Sequence, residues 1–381
     1  MIYLDNSATT RPFDSVIDAM DAAMRDTYFN ASAAYKPAVD LDRAIRTCRQ
    51  TIASAVGAQE GDIIFTSGGT ESDNLAILGT AQTLHKPSNF VVSSIEHPAV
   101  SETMRRVEQM GHEVRVMPIN ERGVVDVAAC ESLIDEQTAL VSVMQVSNET
   151  GAIQPVEEIA RMAKAKNPNV RVHVDGVQGF LRVPMHMGRM GVDFYAISGH
   201  KVHGPKGIGV LVARQNLRIA PQMTGGGQER GLRSGTMNAP AILGLGEAVC
   251  QFAKEDVSRI ADMKAHLWAL LKDIEGIRVN GPKPGEADSA PHVLSLSFDG
   301  VRGEVMRNAL EGAGILVSTG SACASHKQKV SKTLRAMGLT DSQADGTVRV
   351  SLGLFNTMEE MEKTAVQMRT MYELLRQFRR R

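Results

Sequence analysis

Two segments of the chain place reactive side chains just where a strand should end. In Val172-His173-Val174-Asp175-Gly176-Val177-Gln178 an acid closes a short β-branched run, and Ser198-Gly199-His200-Lys201 brings a lysine to the end of another. Open α/β sheets bind ligands in the crevice beyond the carboxyl ends of their strands, so both side chains belong to that crevice. A lysine amine there can hold an aldehyde cofactor as a Schiff base, and a carboxylate beside it can keep a pyridine nitrogen protonated so that the ring accepts electrons. Ser67-Gly68-Gly69-Thr70, between a strand and a helix start, supplies free N–H groups and a positive dipole end suited to a phosphate. It lacks the Lys-Ser/Thr of a P-loop, and alone it is equally an ordinary βα turn, while a lone Asp175 is more often a turn or cap residue. Cys323 follows Ser318-Thr319-Gly320-Ser321-Ala322, residues small enough to let a thiol travel, and His326, Lys327 and Lys329 nearby favour thiolate. Cys48, on an apolar helical face, and Cys130 and Cys250 are expected to be inert. No C-x-x-C pair or His cluster has metal-ligand spacing, so no metal is expected.

The elements that position these groups alternate. Val39 to Val56 carries a helical apolar stripe ended by Gly57, and Ile63-Ile64-Phe65-Thr66 is a short strand leading into the glycine turn. Strand-like runs follow at Phe90-Val92, Val114-Val116, Leu140-Val143, Val170-Val174, Phe194-Ile197 and Ile208-Val212, separated by helices from about Pro98 to Met110 and Pro155 to Lys166. This rhythm predicts a largely parallel sheet covered by helices, an α/β fold. After about Ala239 comes a long helical stretch broken near Gly276, then a strand at Val293-Phe298 and a last helix opened by a Thr357/Glu360 capping box and running towards Arg379-Arg380-Arg381. A large unit over residues 16–250 and a smaller α+β unit over 1–15 and 251–381 should share a cleft.

Composition sets the outer bounds. The 381 residues suffice for two or three domains, with 43% hydrophobic and 22% charged residues, close to globular averages. A formal net charge of −1 provides no global field for nucleic acid or a membrane surface, and no apolar run reaches membrane-spanning length. The N-terminal Met1-Ile2-Tyr3-Leu4 has no basic stretch ahead of an apolar one, so a cytoplasmic location with reduced thiols is expected.

Seven segments in order, Asp5-Asn6-Ser7-Ala8-Thr9-Thr10, Thr66 to Asn74, Glu96-His97, His173-Val174-Asp175, Ser198 to Lys201, Arg230 to Thr236 and Ser318 to Cys323, resemble the pyridoxal-phosphate-dependent cysteine desulfurases within the class V aminotransferase family. The resemblance runs from the first residues to about Thr357 and implies a fold type I enzyme: a large domain with a mostly parallel seven-stranded sheet, and a smaller α+β domain carrying the nucleophilic cysteine. It implies that Lys201 carries the cofactor and then removes the substrate α-proton, that Asp175 pairs with the pyridine nitrogen, and that Asn148 and Gln178 bond the ring oxygen. His97 would stack on the ring and relay protons; Gly69, Thr70, Ser198 and His200 would hold the phosphate. Thr236 would reach the phosphate of a partner subunit in a homodimer. Arg349 would take the substrate carboxylate, with Asn148 beside it and Arg230 helping to shape the pocket.

The implied reaction turns L-cysteine into alanine and leaves a persulfide on Cys323 for a sulfur acceptor, a cluster scaffold or a tRNA-thiolation enzyme. A selenocysteine lyase or a class V aminotransferase shares the cofactor machinery; Ser321-Ala322-Cys323 favours sulfur transfer. The stretch Ala324 to Lys332 is more basic than in the best-known cluster-assembly members, and the chain ends at Arg381 without the tail that some of them use for docking. An acidic acceptor protein or a tRNA-modifying partner is therefore an alternative to the scaffold.

Overall fold

The β-branched runs assemble into one seven-stranded sheet in a computed structural model that describes residues 1–319 and 331–378. A two-residue strand, β1 (Ile2–Tyr3), opens the chain. Strands β2 (Ile63–Thr66), β3 (Asn89–Ser93), β4 (Glu113–Met117), β5 (Thr138–Met144), β6 (Arg171–Asp175), β7 (Phe194–Ser198) and β8 (Gly209–Ala213) then lie in the order β2-β8-β7-β6-β5-β3-β4. The run β7-β6-β5-β3-β4 is parallel, whereas β8 is antiparallel to both of its neighbours, which makes the sheet mostly parallel. Near-continuous apolar strands such as β7 and β8 are buried along their whole length because helices cover both faces.

Helices α1 (Asp14–Arg25), α2 (Lys36–Ala55), α3 (Gly69–Ala81) and α4 (Pro98–Gln109) lie in the first third of the chain. α3 packs on β7 and β8 and is buried almost all round, matching its apolar, unpatterned sequence. α1 and α2 pack on the helix at Ala239–Phe252. The long helical stretch after Ala239 does not run on to Gly276. It breaks at residues 253–257, where Lys254-Glu255-Asp256 offers no apolar face, and resumes as Ser258–Leu271, which packs on the last helix, Met358–Leu375.

The remaining strands are β9 (Ile277–Val279), β10 (Val293–Phe298), β11 (Ile315–Leu316) and β12 (Thr347–Ser351). β10 is the centre of an antiparallel three-stranded sheet, β12-β10-β9. β1 pairs in parallel with β11, and Asp5 bridges to Ser351, so the first residues of the chain belong with its last third. From there the segment Asp5 to Thr10 crosses to the large sheet: the Ser7 N–H donates to Ser351 Oγ at 2.9 Å, and the Thr10 N–H to the His200 carbonyl at 2.9 Å. Among the described residues no helix is long and apolar enough to cross a membrane.

Candidate active site

Where β5, β6 and β7 end, a cavity of about 260 Å³ opens beneath the Asp5–Thr10 crossing. Its lining joins groups from both parts of the chain: Lys201, Asp175, His97, Asn148, Gln178, Gly69, Thr70, Ser198, His200 and Arg349. Each of these belongs to the site that the motifs of the sequence predict.

Each group is held by local structure. β6 stops at Asp175 because its carboxylate turns back and accepts the Val177 N–H at 2.9 Å. Burial pushes the Asp175 carboxyl upward, while His97, the Val177 N–H and Lys201 pull it down. Lys201 follows β7 in a single 3-10 turn, Gly199–Lys201, and its Nζ donates to the carbonyls of Ser7 at 2.6 Å and Ala8 at 2.8 Å. His200 is held well down, to about 4, by burial and by the charges of Lys201 and Lys206. His97 is the N-cap of α4, with Nδ1 accepting the Ala99 N–H at 3.1 Å, and it faces the cavity as well. Capping and lining are thus compatible at this position.

Gly68 and Gly69 bring the start of α3 to the cavity edge. A Cβ on Gly69 would lie 2.6 Å from Val177 Cγ2, so only glycine allows the helix N-terminus this close to the turn after Asp175. The first N–H groups of a helix have no intrahelical acceptor, and here they meet the cavity beside Thr70 and Ser198.

Several residues that shape this floor carried no role in the sequence reading. The Asp73 side chain, 1% exposed, lines the cavity, and its Oδ1 lies 3.3 Å from His173 Nε2 without a well-aligned hydrogen bond. Burial raises the Asp73 carboxyl, with Asp175 and Glu96 adding to it, and lowers His173 to about 3. Glu96 accepts the Ser93 hydroxyl at 2.5 Å and the Met144 N–H at 2.7 Å, tying the turn that carries His97 to the end of β5. Burial drives its carboxyl up to about 8. The signal was there in Glu96-His97 and His173-Val174-Asp175, but sequence does not show which acids face inward.

Comparison with known proteins places this geometry. The model of the aminotransferase class V family matches residues 2–364. A cysteine desulfurase IscS from Salmonella arizonae is 40% identical over 373 residues, 95% of this chain and 90% of the relative. A solved NifS-like protein superposes with a TM-score of 0.91 at 36% identity, covering 98% of this chain and all of the other, and SspA, solved in complex with cysteine, gives 0.82 at 32% identity over 94% of this chain and 100% of its own. The chain belongs to the cysteine desulfurases of the class V aminotransferase family. It has the type I fold and depends on pyridoxal phosphate, as that family does.

The residues present in this desulfurase fit the cofactor. An amine, a buried carboxylate, an imidazole and a helix N-terminus converge on one cavity, in the arrangement that an aldehyde, a pyridine nitrogen, a ring face and a phosphate require.

One sequence expectation, Arg230, needs adjustment, and the surroundings of Gln178 and Thr236 bear on two others. Arg230 does not line the cavity; its Nη1 donates to the Gly61 carbonyl, in a separate depression with Arg49 and Glu229. The cause is local: Glu229 is gripped by Arg49 and by the Phe65 N–H, and both Glu229 and Arg230 take left-handed backbone conformations that turn the arginine away. The Gln178 amide does not present both ends to the cavity, since Nε2 donates to the Ser7 carbonyl at 3.0 Å and Oε1 lies 3.1 Å from His292 Nε2. Thr236 is exposed and away from the cavity of its own chain. Cys323, with His326, Lys327 and Lys329, lies outside the described residues. The described residues on either side of that segment are placed: Ser318 pairs with Arg349, and Ser331 donates to Glu149, next to Asn148.

Proposed function

We propose that this desulfurase converts L-cysteine to L-alanine and passes the sulfur, as a persulfide on Cys323, to an acceptor protein of an iron–sulfur or tRNA-thiolation pathway. The observation that carries the reading is the convergence of Lys201, Asp175, His97 and Arg349 on one cavity, with the flanks of the Cys323 segment tied to Arg349 and to Glu149.

When bound, pyridoxal phosphate supplies the sink for the electron pair released at the amino acid α-carbon. The residues do the rest. Lys201 would hold the cofactor aldehyde and then serve as the base for the α-proton. Asp175 holds a proton at the pyridine nitrogen, and burial, which makes its negative charge costly alone, strengthens that pairing. His97 would stack on the ring face and relay protons near the reacting centre. Asn148 would bond the ring oxygen, and Gln178 would reach it by giving up its bond to the Ser7 carbonyl. The α3 N-terminus with Gly69, Thr70, Ser198 and His200 holds the phosphate, and Arg349 takes the substrate carboxylate. The Cys323 thiolate attacks the substrate sulfur, the carbon–sulfur bond breaks towards carbon, and protonation completes alanine.

A homodimer belongs to the same reading. Tyr28 and Phe29 stack at 4.8 Å, Tyr35 packs edge-on at 5.9 Å from Phe29, and Tyr28 is 73% exposed, an aromatic cluster that a second copy would cover. Exposed Thr236 is then available to the partner's phosphate site. The basic stretch after Cys323 suits an acidic face on the acceptor. Unpaired thiols at Cys48, Cys130 and Cys250 fit a cytoplasmic setting.

Incubation with L-cysteine should yield alanine and add one sulfur atom to the peptide containing Cys323, read by mass spectrometry. Cys323→Ala should keep the cofactor absorbance and lose persulfide formation; undiminished sulfide release by that variant would remove Cys323 from the mechanism.

A further inference from the structure

Arg349 stands on β12 with its side chain 3% exposed, facing the cavity. Two of its nitrogens are already engaged. Nη1 donates to the Asn148 carbonyl at 2.8 Å, and Nη2 donates to Asp5 Oδ1 at 2.7 Å. Nε is buried and has no partner. A guanidinium grips a carboxylate through two parallel N–H bonds, and Nε forms such a fork with Nη2. The edge with one unpaired donor is therefore the edge on which Asp5 sits.

A buried guanidinium without a counterion is costly, and Asp5 supplies the counterion within the chain. Its backbone is fixed: the Asp5 carbonyl accepts the Tyr3 hydroxyl at 3.0 Å and the Ala8 N–H at 2.9 Å, and the following Asn6 N–H donates to the Ser351 carbonyl at 3.1 Å. The carboxylate itself is 21% exposed and has water to turn to when it lets go. An incoming carboxylate can thus exchange with Asp5 on the Nε–Nη2 edge while the arginine stays where it is.

We propose that Asp5 is an internal stand-in for the substrate carboxylate, neutralising Arg349 in the empty site and yielding it to the amino acid, so that it sets how tightly the site takes carboxylates. This rests on the reading that Arg349 receives the substrate carboxylate. Asp5 is a specificity-setting residue that acts through Arg349.

The test is calorimetric titration of the holoenzyme with L-alanine and with L-alanine methyl ester, which lacks the negative charge. Asp5→Asn keeps the size of the side chain and removes its charge. It should tighten L-alanine about tenfold and leave the ester unchanged. Asp5→Ala should move the same way, with a thermal melt to verify folding. Weaker or unchanged binding of L-alanine, or an equal shift for acid and ester, overturns the proposal. Arg349→Lys titrated alongside separates the two levels. If it costs no affinity for L-alanine relative to the ester, the carboxylate is not held by Arg349 at all; if it does and Asp5→Asn brings no gain, only the role of Asp5 falls.

Discussion

At single residues, the site is built on buried acids whose carboxyls burial pushes upward. Asp73 and Glu96 lie near Asp175; burial raises all three carboxyls, the charge of Asp175 adds to the rise of the other two, and that of Glu96 to the rise of Asp73. Of the three, Asp175 is the one that nearby cationic side chains, His97 and Lys201, pull down, together with the Val177 N–H. It is the carboxyl best placed to be ionised opposite a protonated ring nitrogen. Glu96 gives a measurable consequence. Its carboxyl sits at about 8 in the folded chain against 4.5 ordinarily, so the folded state keeps a proton that the unfolded chain releases. The resulting stabilisation is complete below the unfolded value and is lost as pH rises through about 8. Glu96→Gln preserves the acceptor oxygen for Ser93 and Met144 and removes the titration. Urea unfolding at pH 5 and pH 8 should show the wild type losing a few kcal/mol relative to the variant, at up to about 1.4 kcal/mol per pH unit. Parallel profiles would mean that Glu96 is already ionised in the folded protein.

At the level of elements, the phosphate end of the site depends on how closely β8 lies against the turn before α3. A Cβ at Gly209 would stand 2.5 Å from the Gly68 backbone and 2.7 Å from the Ile197 carbonyl, and backbone cannot move aside as a side chain can. Gly209→Ala should push the Gly68 turn outward, cost about 1–3 kcal/mol of stability and loosen the cofactor. The checks are a denaturation curve and the dissociation constant for pyridoxal phosphate; unchanged cofactor affinity would show that the α3 N-terminus does not depend on this contact. Strand ends such as Ile63–Thr66 and Val293–Phe298 could be read from sequence because β-branched runs bounded by polar turns carry their own signal. The Thr357/Glu360 capping box was legible for the same local reason. Lys201, Asp175 and His97 were legible as motif residues. What escaped depends on contacts distant in sequence: the reversed direction of β8, Arg230 drawn off by the Arg49–Glu229 pair, and Asp5 meeting Arg349 across the whole chain. No window of neighbouring residues contains both halves of such a contact.

Across the whole molecule, the N-terminal segment ties the two ends of the chain together over the cavity. Asn6 Nδ2 donates to Asn356 Oδ1 at 3.2 Å, Asn356 Nδ2 donates to the Tyr3 carbonyl at 3.0 Å, and Lys201 holds the Ser7 and Ala8 carbonyls from the opposite side. Within one chain this closes the site from above, while the phosphate end beside Thr70 remains at an exposed position. The aromatic cluster at Tyr28, Phe29 and Tyr35, with Ile17 50% and Met24 57% exposed on α1, is where a second copy would bury apolar surface. Each such side chain that is fully covered contributes about 1.5–3 kcal/mol, so two charges placed there oppose association strongly. Sedimentation should give wild-type protein twice the mass of one chain, and the double variant Tyr28→Asp, Tyr35→Asp the mass of one. If the partner's Thr236 completes the phosphate site, the separated chains should also release pyridoxal phosphate more readily than Thr236→Val, which loses one hydroxyl and keeps the dimer. A wild-type monomer refutes the dimer, a double variant that stays dimeric moves the interface elsewhere, and separated chains that keep their cofactor show that the site is complete within one protomer.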